Sequence, residues 1–193
     1  MDILKLIMDR KSIRKYRNKL ISRNKTDKIV QAGIWGPSVF GKQPWRLIIV
    51  ENKRLIKSIS DLLLKESKKV GIGWKVLLKN AAGVIEKAPL IIIVYRSGSV
   101  VRIANTFGKN YSKMAKVAEV ASVAAAIQNM LLVSESLGIG ACWLDMPFLC
   151  RDSINKLFRT KEDLIAVLTF GYPGEKGRRS VRESLKKMIT LYR

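Results

Sequence analysis

Ala88-Pro89-Leu90-Ile91-Ile92-Ile93-Val94-Tyr95 is the stretch on which the fold turns. Pro89 biases the residue before it to extended backbone, and a β-branched run follows. A segment this short and apolar on both faces reads as a central, buried strand. Upstream, Arg46-Leu47-Ile48-Ile49-Val50-Glu51 reads as a second strand, and Asn52 as the cap of an amphipathic helix carrying Leu55, Ile56, Ile59, Leu62 and Leu63. Residues 66–87 are broken by Gly71 and Gly73, with a helix expected from Trp74. Downstream, Ser97 to Lys109 reads as a polar connection. A long helix is then expected from about Lys113 to Leu137, apolar nearly all round between Val117 and Leu132, as suits a helix buried through the middle of the molecule.

Gly138 ends that helix, Ala141 to Leu144 and Leu164 to Phe170 read as further strands, and Asp152 is expected to cap a helix through Leu157. Near the start, Asp2 to Met8 reads as a short helix. A second helix is expected to begin at Thr26 and to stop at Gly36-Pro37. A basic amphipathic helix is expected to close the chain. Strands and helices mix without regular alternation, which favours α+β over a doubly wound sheet.

The 193 residues make one ordinary domain, 1–193, and 48% of them are apolar, enough to bury a core without staples. The longest apolar run, Ala118 to Leu132, contains Glu119, Gln128 and Asn129 and falls short of a membrane span. The first residues lack a basic block followed by an apolar one, so a cytoplasmic protein is expected. Histidine is absent, which removes His-based triads, His general bases and the usual zinc enzymes. Cys142 and Cys150, eight apart, form neither a redox pair nor a zinc spacing.

With 37 Lys and Arg against 15 Asp and Glu, the net charge is +22. A field of that sign attracts polyanions, so nucleic acid is a candidate partner. The bases lie within amphipathic patterns rather than low-complexity arms, and no helix-turn-helix, zinc or aromatic RNA-binding pattern accompanies them. Solvated helix faces are the commoner reason for such a charge.

Two early segments carry the chemistry. Arg10-Lys11-Ser12-Ile13-Arg14 sets two guanidiniums and a hydroxyl at alternate positions, suited to a phosphate. Gly36-Pro37-Ser38-Val39-Phe40-Gly41-Lys42-Gln43-Pro44-Trp45 is a tight turn leading into a strand. With Ala88-Pro89, the stretch Ala126 to Leu132 followed by Leu137-Gly138-Ile139-Gly140-Ala141-Cys142-Trp143, and Phe170-Gly171-Tyr172-Pro173 before Lys176-Gly177-Arg178-Arg179, these patches occur in the order found in the nitroreductase family, which the whole chain resembles.

That resemblance implies a mostly antiparallel central sheet flanked by helices around a long buried helix. It also implies an intertwined homodimer with two FMN molecules at its interface. The implied activity is hydride transfer from NAD(P)H to an electron-poor small-molecule acceptor, nitroaromatic or quinone in type, by a ping-pong scheme. Relatives with the same fold dehalogenate or dehydrogenate small molecules. By the same resemblance, Arg10 and Ser12 hold the FMN phosphate with help from Lys176 and Arg178, Arg179 taking the place of Arg178 if the register is one residue off, and Lys11 between them belongs to the cofactor-binding set. Arg14 serves the pyrimidine edge of the ring, where reduction places negative charge. Asn80 falls near a further polar contact, and the backbone amides of Asp145 and Met146 fall near the hydride-accepting N5. Pro37, Ser38 and Gly41, with Gln43 beside them, fall on a loop that reaches the partner's FMN, with Gly41 standing where the family usually has Asn.

Cys142 reads as a small buried apolar residue rather than a redox thiol. Ser97 to Lys109 is the expected cover of the ring, with Arg96, Arg102 and Lys109 favouring an anionic acceptor or the phosphates of NADPH.

Overall fold

In the computed structural model, which describes residues 2–192, the chain opens with α1 (Ile3–Asp9), α2 (Arg23–Ile34), β1 (Trp45–Val50), α3 (Lys53–Glu66) and α4 (Ile72–Lys87). It continues through β2 (Leu90–Arg96), α5 (Ser99–Ala104), α6 (Lys109–Ser136) and β3 (Gly140–Leu144), and closes with α7 (Arg151–Phe158), β4 (Asp163–Gly171) and α8 (Leu185–Met188). The strands form one sheet in the order β1-β2-β4-β3, and every neighbouring pair is antiparallel.

β2 is an inner strand and buried at every residue, as its composition demands. Its period-two alternation divides the core between the two faces of the sheet. Ile91, Ile93 and Tyr95 pack with Ile56 and Ile59 of α3 and Ile85 of α4. Leu90, Ile92 and Val94 pack with Ile29 of α2 and with Val123, Ile127 and Met130 of α6. Each fully buried aliphatic side chain contributes on the order of 1.5–3 kcal/mol, so this one strand anchors both helical layers. Asn52 caps α3 as expected, its side chain accepting from the amides of Arg54 at 2.9 Å and Leu55 at 3.2 Å.

Residues 12–17 lie against the ends of β3 and β4. The Ile13 amide donates to Ala141 O at 2.9 Å, the Arg17 amide to Tyr172 O at 2.9 Å, and the Gly174 amide to Lys15 O at 2.8 Å. Tyr16 locks this seam: its hydroxyl donates to Ile13 O at 2.6 Å and lies 2.7 Å from the Thr169 hydroxyl. Burial pushes the Tyr16 hydroxyl well above its ordinary pKa, which keeps it protonated as a donor. Gly171 is required here, because a Cβ would come within 2.6 Å of the Tyr16 ring and 2.8 Å of Pro89 Cδ. The opening segment of the chain is thereby fixed beside its closing loops.

Several expectations need correction. α2 begins at Arg23, not Thr26; Thr26 is fully buried inside it, and the Arg23–Asp27 pair extends the helix by a turn. Ser97 to Lys109 is not an unstructured connection, since it folds into α5 and a 3-10 turn, and α6 starts at Lys109. Asp152 sits in the first turn of α7 rather than capping it, because a 3-10 turn over Met146–Cys150 already leads into the helix. The closing segment is helical only over Leu185–Met188, and Val181 and Tyr192 are 97% and 91% exposed. Its amphipathic pattern finds no apolar surface within this chain to cover, and an isolated short helix is unstable in water.

α6 is long and apolar enough, by length and composition, to cross a bilayer. Its packing places it otherwise. Fully buried Glu119, midway along it, accepts from Arg96 Nη1 and from the Val100 amide, both at 2.6 Å. α6 is buried on one side only: Tyr111, Met114 and Val117 stand open on the other.

Candidate active site

Four stretches of chain meet around a cleft of about 940 Å³, within the size range of small-molecule sites. The segment beside β3 brings Ser12, Arg14 and Lys15, and α4 brings Lys79, Asn80 and Gly83. The end of β3 and the turn after it bring Trp143, Asp145 and Met146, and the loop after β4 brings Glu175, Lys176 and Arg178. Residues from opposite ends of the sequence meet here because the seam of residues 12–17 draws them together.

Local contacts set each part. The Arg14 amide donates to Glu175 Oε1 at 2.7 Å, tying the opening segment to the closing loop through its backbone. Gly177 permits the close approach: its φ is +66°, and a Cβ there would lie 2.8 Å from Ile13 Cδ1. On the far side, Trp143 Nε1 donates to Asp145 Oδ1 at 2.5 Å, fixing the loop at the end of β3. Met146 opens a 3-10 turn, and the first amides of a helix have no intrahelical acceptor. The Asp145–Met146 backbone is therefore suited to donate to a ligand.

Ser12, Arg14, Asn80, Asp145, Met146, Lys176 and Arg178, all expected at the site, line this cleft. The remaining expected residues stand elsewhere. Arg10 closes α1 and does not line the cleft; its charge acts on Cys142 and Glu135. Lys11 reaches to Lys176 O at 3.4 Å. Of the two arginines expected there, Arg178 lines the cleft, while Arg179 pairs with Asp9 at 2.5 Å. Lys5 first, and Arg179 with it, hold the Asp9 carboxyl below its usual range.

Pro37, Ser38, Gly41 and Gln43 do not line the cleft of their own chain. Their loop rests on α6, where the Val39 amide donates to Ser122 Oγ at 3.0 Å, and Gln43 N donates to Ser38 Oγ at 3.2 Å. It holds three left-handed residues, Phe40, Gly41 and Gln43, at φ of 50°, 65° and 46°. Non-glycine residues there cost on the order of 1–3 kcal/mol each, and such strain clusters at functional segments.

Cys142 is buried. Burial pushes its thiol up, against the opposing pull of Arg14, a Ser12 hydrogen bond and Arg10. Burial likewise takes the Cys150 thiol up to about 11. Neither is a ready thiolate nucleophile. No grouping of metal-ligating side chains occurs among the described residues.

Arg96 and Arg102 do not line the cleft of their own chain. Arg96 is 5% exposed and held between Glu119 and Asp163, Arg102 donates to Ser97 O at 2.8 Å, and nothing from Ser97 to Lys109 lines the cleft of its own chain. The cations that line it beyond the expected set are Lys15, Lys79 and Lys87. The repeat of four from Lys79 to Gly83 to Lys87 was the available signal for α4; Glu175 had only its place beside Lys176.

A sequence model described as the Nitroreductase family matches residues 7–172. A protein of Methanothermobacter thermautotrophicus named "Putative NADH dehydrogenase/NAD(P)H nitroreductase" is 30% identical over 179 residues, covering 91% of this chain and 79% of its own. Among solved structures, a nitroreductase with bound FMN from Desulfitobacterium hafniense DCB-2 superposes with a TM-score of 0.80 at 20% identity, covering 100% of both chains. A BluB-like flavoprotein from Clostridium difficile 630 gives 0.82 at 20% identity, again over 100% of both. At these identities the structural likenesses are likenesses of fold.

Proposed function

Because this chain belongs to the nitroreductase family, we propose that it is a homodimeric FMN-dependent oxidoreductase that passes hydride from NAD(P)H to an electron-poor acceptor, nitroaromatic or quinone in type, by a ping-pong scheme. One observation carries the reading: Ser12, Arg14, Lys176 and Arg178 meet at one cleft from opposite ends of the chain. The Ser12 hydroxyl, the Lys176 ammonium and the forked Arg178 guanidinium are donors of the kind a phosphate dianion calls for, with the Arg14 guanidinium left for the ring edge. Bound there, FMN supplies the hydride-accepting centre.

The chain's own part is to hold, orient and bias. Arg10, Ser12, Lys176 and Arg178 grip the phosphate, with Lys11 bracing the loop that carries Lys176. Arg14 sets a fixed positive charge at the ring edge that becomes negative on reduction. Asn80 offers an amide from α4, and the Asp145 and Met146 amides face the reacting side. No step requires a side chain titrating near neutrality, which suits a cleft without histidine.

The dimer has a physical basis in what one chain leaves uncovered. Phe40, Phe107, Tyr111, Met114 and Val117 are each more than half exposed. A second copy covers such surface, since monomers rarely leave contiguous apolar patches of this kind open. The strained loop of Pro37, Ser38, Gly41 and Gln43 rests on α6 and is carried with it to the partner's cofactor.

The test is a visible absorption spectrum of the purified protein before and after addition of FMN and desalting. Flavin bands that persist, bleach anaerobically with NADH or NADPH, and accompany a light-scattering mass twice that of the chain are expected. A colourless, monomeric protein that does not take up FMN would overturn the reading.

A further inference from the structure

Lys79, Gly83 and Lys87 stand four residues apart on α4, one above another on a single helix face, and all three line the cleft. Gly83 lies within the helix, and a Cβ there would meet nothing within 4 Å. Alanine would favour the helix more, and no close contact demands glycine. What glycine leaves is bare backbone between two ammonium groups.

Neither lysine is compensated. Four lysines elsewhere pair with an acid three or four residues away, Lys5–Asp9, Lys57–Asp61, Lys69–Glu66 and Lys187–Glu183; what sets Lys79 and Lys87 apart from the other unpaired lysines is that both line the cleft. Lys79 has Lys75 and Gly83 at those positions along α4 where an acid could stand, and Glu86 beside Lys87 turns to Lys57 at 3.9 Å. Among the described residues no ion pair includes Lys79 or Lys87.

The cleft as a whole is overcharged for one phosphate. Arg14, Lys15, Lys79, Lys87, Lys176 and Arg178 face two acids, Asp145 and Glu175. Both acids already accept from the wall, Asp145 from Trp143 and Glu175 from the Arg14 amide. A phosphate dianion held near Ser12 leaves the cleft positive, with the excess on α4.

We propose that Lys79 and Lys87, on either side of the bare backbone of Gly83, form an anion subsite, so that the molecule exchanging hydride in this cleft carries a carboxylate or phosphate. The inference rests on the redox reading above for the reaction, but not for the binding. The anionic group belongs either to the acceptor or to the nicotinamide donor.

The experiment uses the FMN-loaded protein with 4-nitrobenzoate and 4-nitrobenzamide, acceptors of one shape that differ in charge, and with NADPH and NADH as donors. In K79Q/K87Q the KM ratio of 4-nitrobenzoate to 4-nitrobenzamide is expected to rise roughly tenfold, as for loss of a charged contact. A rise of threefold or more in that ratio places the anion on the acceptor. A threefold or greater rise in the KM of NADPH or of NADH, both of which carry an anionic diphosphate, measured with neutral 4-nitrobenzamide as acceptor, places it on the donor. Less than threefold in both overturns the proposal. Gly83→Ala keeps the melting temperature at or above the wild-type value and shifts the affected ratio or KM in the same direction; an unmoved value removes Gly83 from the subsite and overturns its part. If the protein holds no FMN, the redox reading falls alone. The subsite is then read by quenching of tryptophan fluorescence on titration with 4-nitrobenzoate, where weaker binding to K79Q/K87Q supports it and equal binding overturns it.

Discussion

Arg14→Ala combined with Arg178→Ala is expected to abolish FMN retention through desalting while leaving the fold intact. Both side chains are exposed and both line the cleft. Each charge-assisted hydrogen bond to a ligand is worth about 1.5–3 kcal/mol. Losing two removes about 3–6 kcal/mol, or roughly a hundredfold to ten-thousandfold in affinity. The fold has no comparable stake. Arg14 is tied to Glu175 through its main-chain amide, which alanine keeps, and exposed side chains without packed neighbours change stability by only about 0.5 kcal/mol. FMN titration followed by flavin fluorescence, beside a thermal melt of the same variant, separates the two effects. Unaltered FMN affinity in the double variant would remove these arginines from the cofactor site. Arg14→Lys should fall between, since it keeps the charge and loses the planar fork.

The parts of the fold legible beforehand are those where a local pattern has one outcome. β2 is apolar on both faces because both faces are covered, and Asn52 caps α3 because its side chain reaches amides two and three residues on. The misjudged parts depend on something distant. Thr26 has the residue type of a cap, and only burial against the rest of the chain places it inside α2. The closing segment has an amphipathic pattern, yet a pattern makes a helix only when a surface receives it. The site divides in the same way. Ser12 and Arg14 stood out as residue types suited to an anion, Lys176 and Arg178 were reached only through the family resemblance, and all four line the cleft. Glu175 was not readable, because its role is a bond to the amide of a residue 161 positions away. The cations of α4 were missed because Arg96 and Arg102 looked like the free charges.

The misreading of Arg96 leads to the second large effect. Glu119→Ala is expected to destabilise the protein by about 3–5 kcal/mol, the cost of leaving a buried charge without its partner. Arg96 is 5% exposed and Glu119 wholly buried, so water cannot replace the lost carboxylate. Asp163 still pairs with Arg96, but it is half exposed and compensates only in part. Glu119 also accepts from the Val100 amide, so its loss leaves the start of α5 with an unmet donor. For a chain of this size each kcal/mol lowers the melting temperature by about 2–4 °C, which sets the expected fall at about 6–20 °C. Glu119→Gln should cost less, because its amide oxygen can still accept from Val100. Replacing both partners, Arg96→Met with Glu119→Leu, should recover much of the loss, since an apolar pair of similar volume removes the desolvation penalty along with the attraction. Urea unfolding of Arg96→Met, Glu119→Leu and the two combined yields the coupling energy directly. A single-variant loss below about 1 kcal/mol would mean that the pair is solvated in solution, and the packing of α5 against α6 would then need another source.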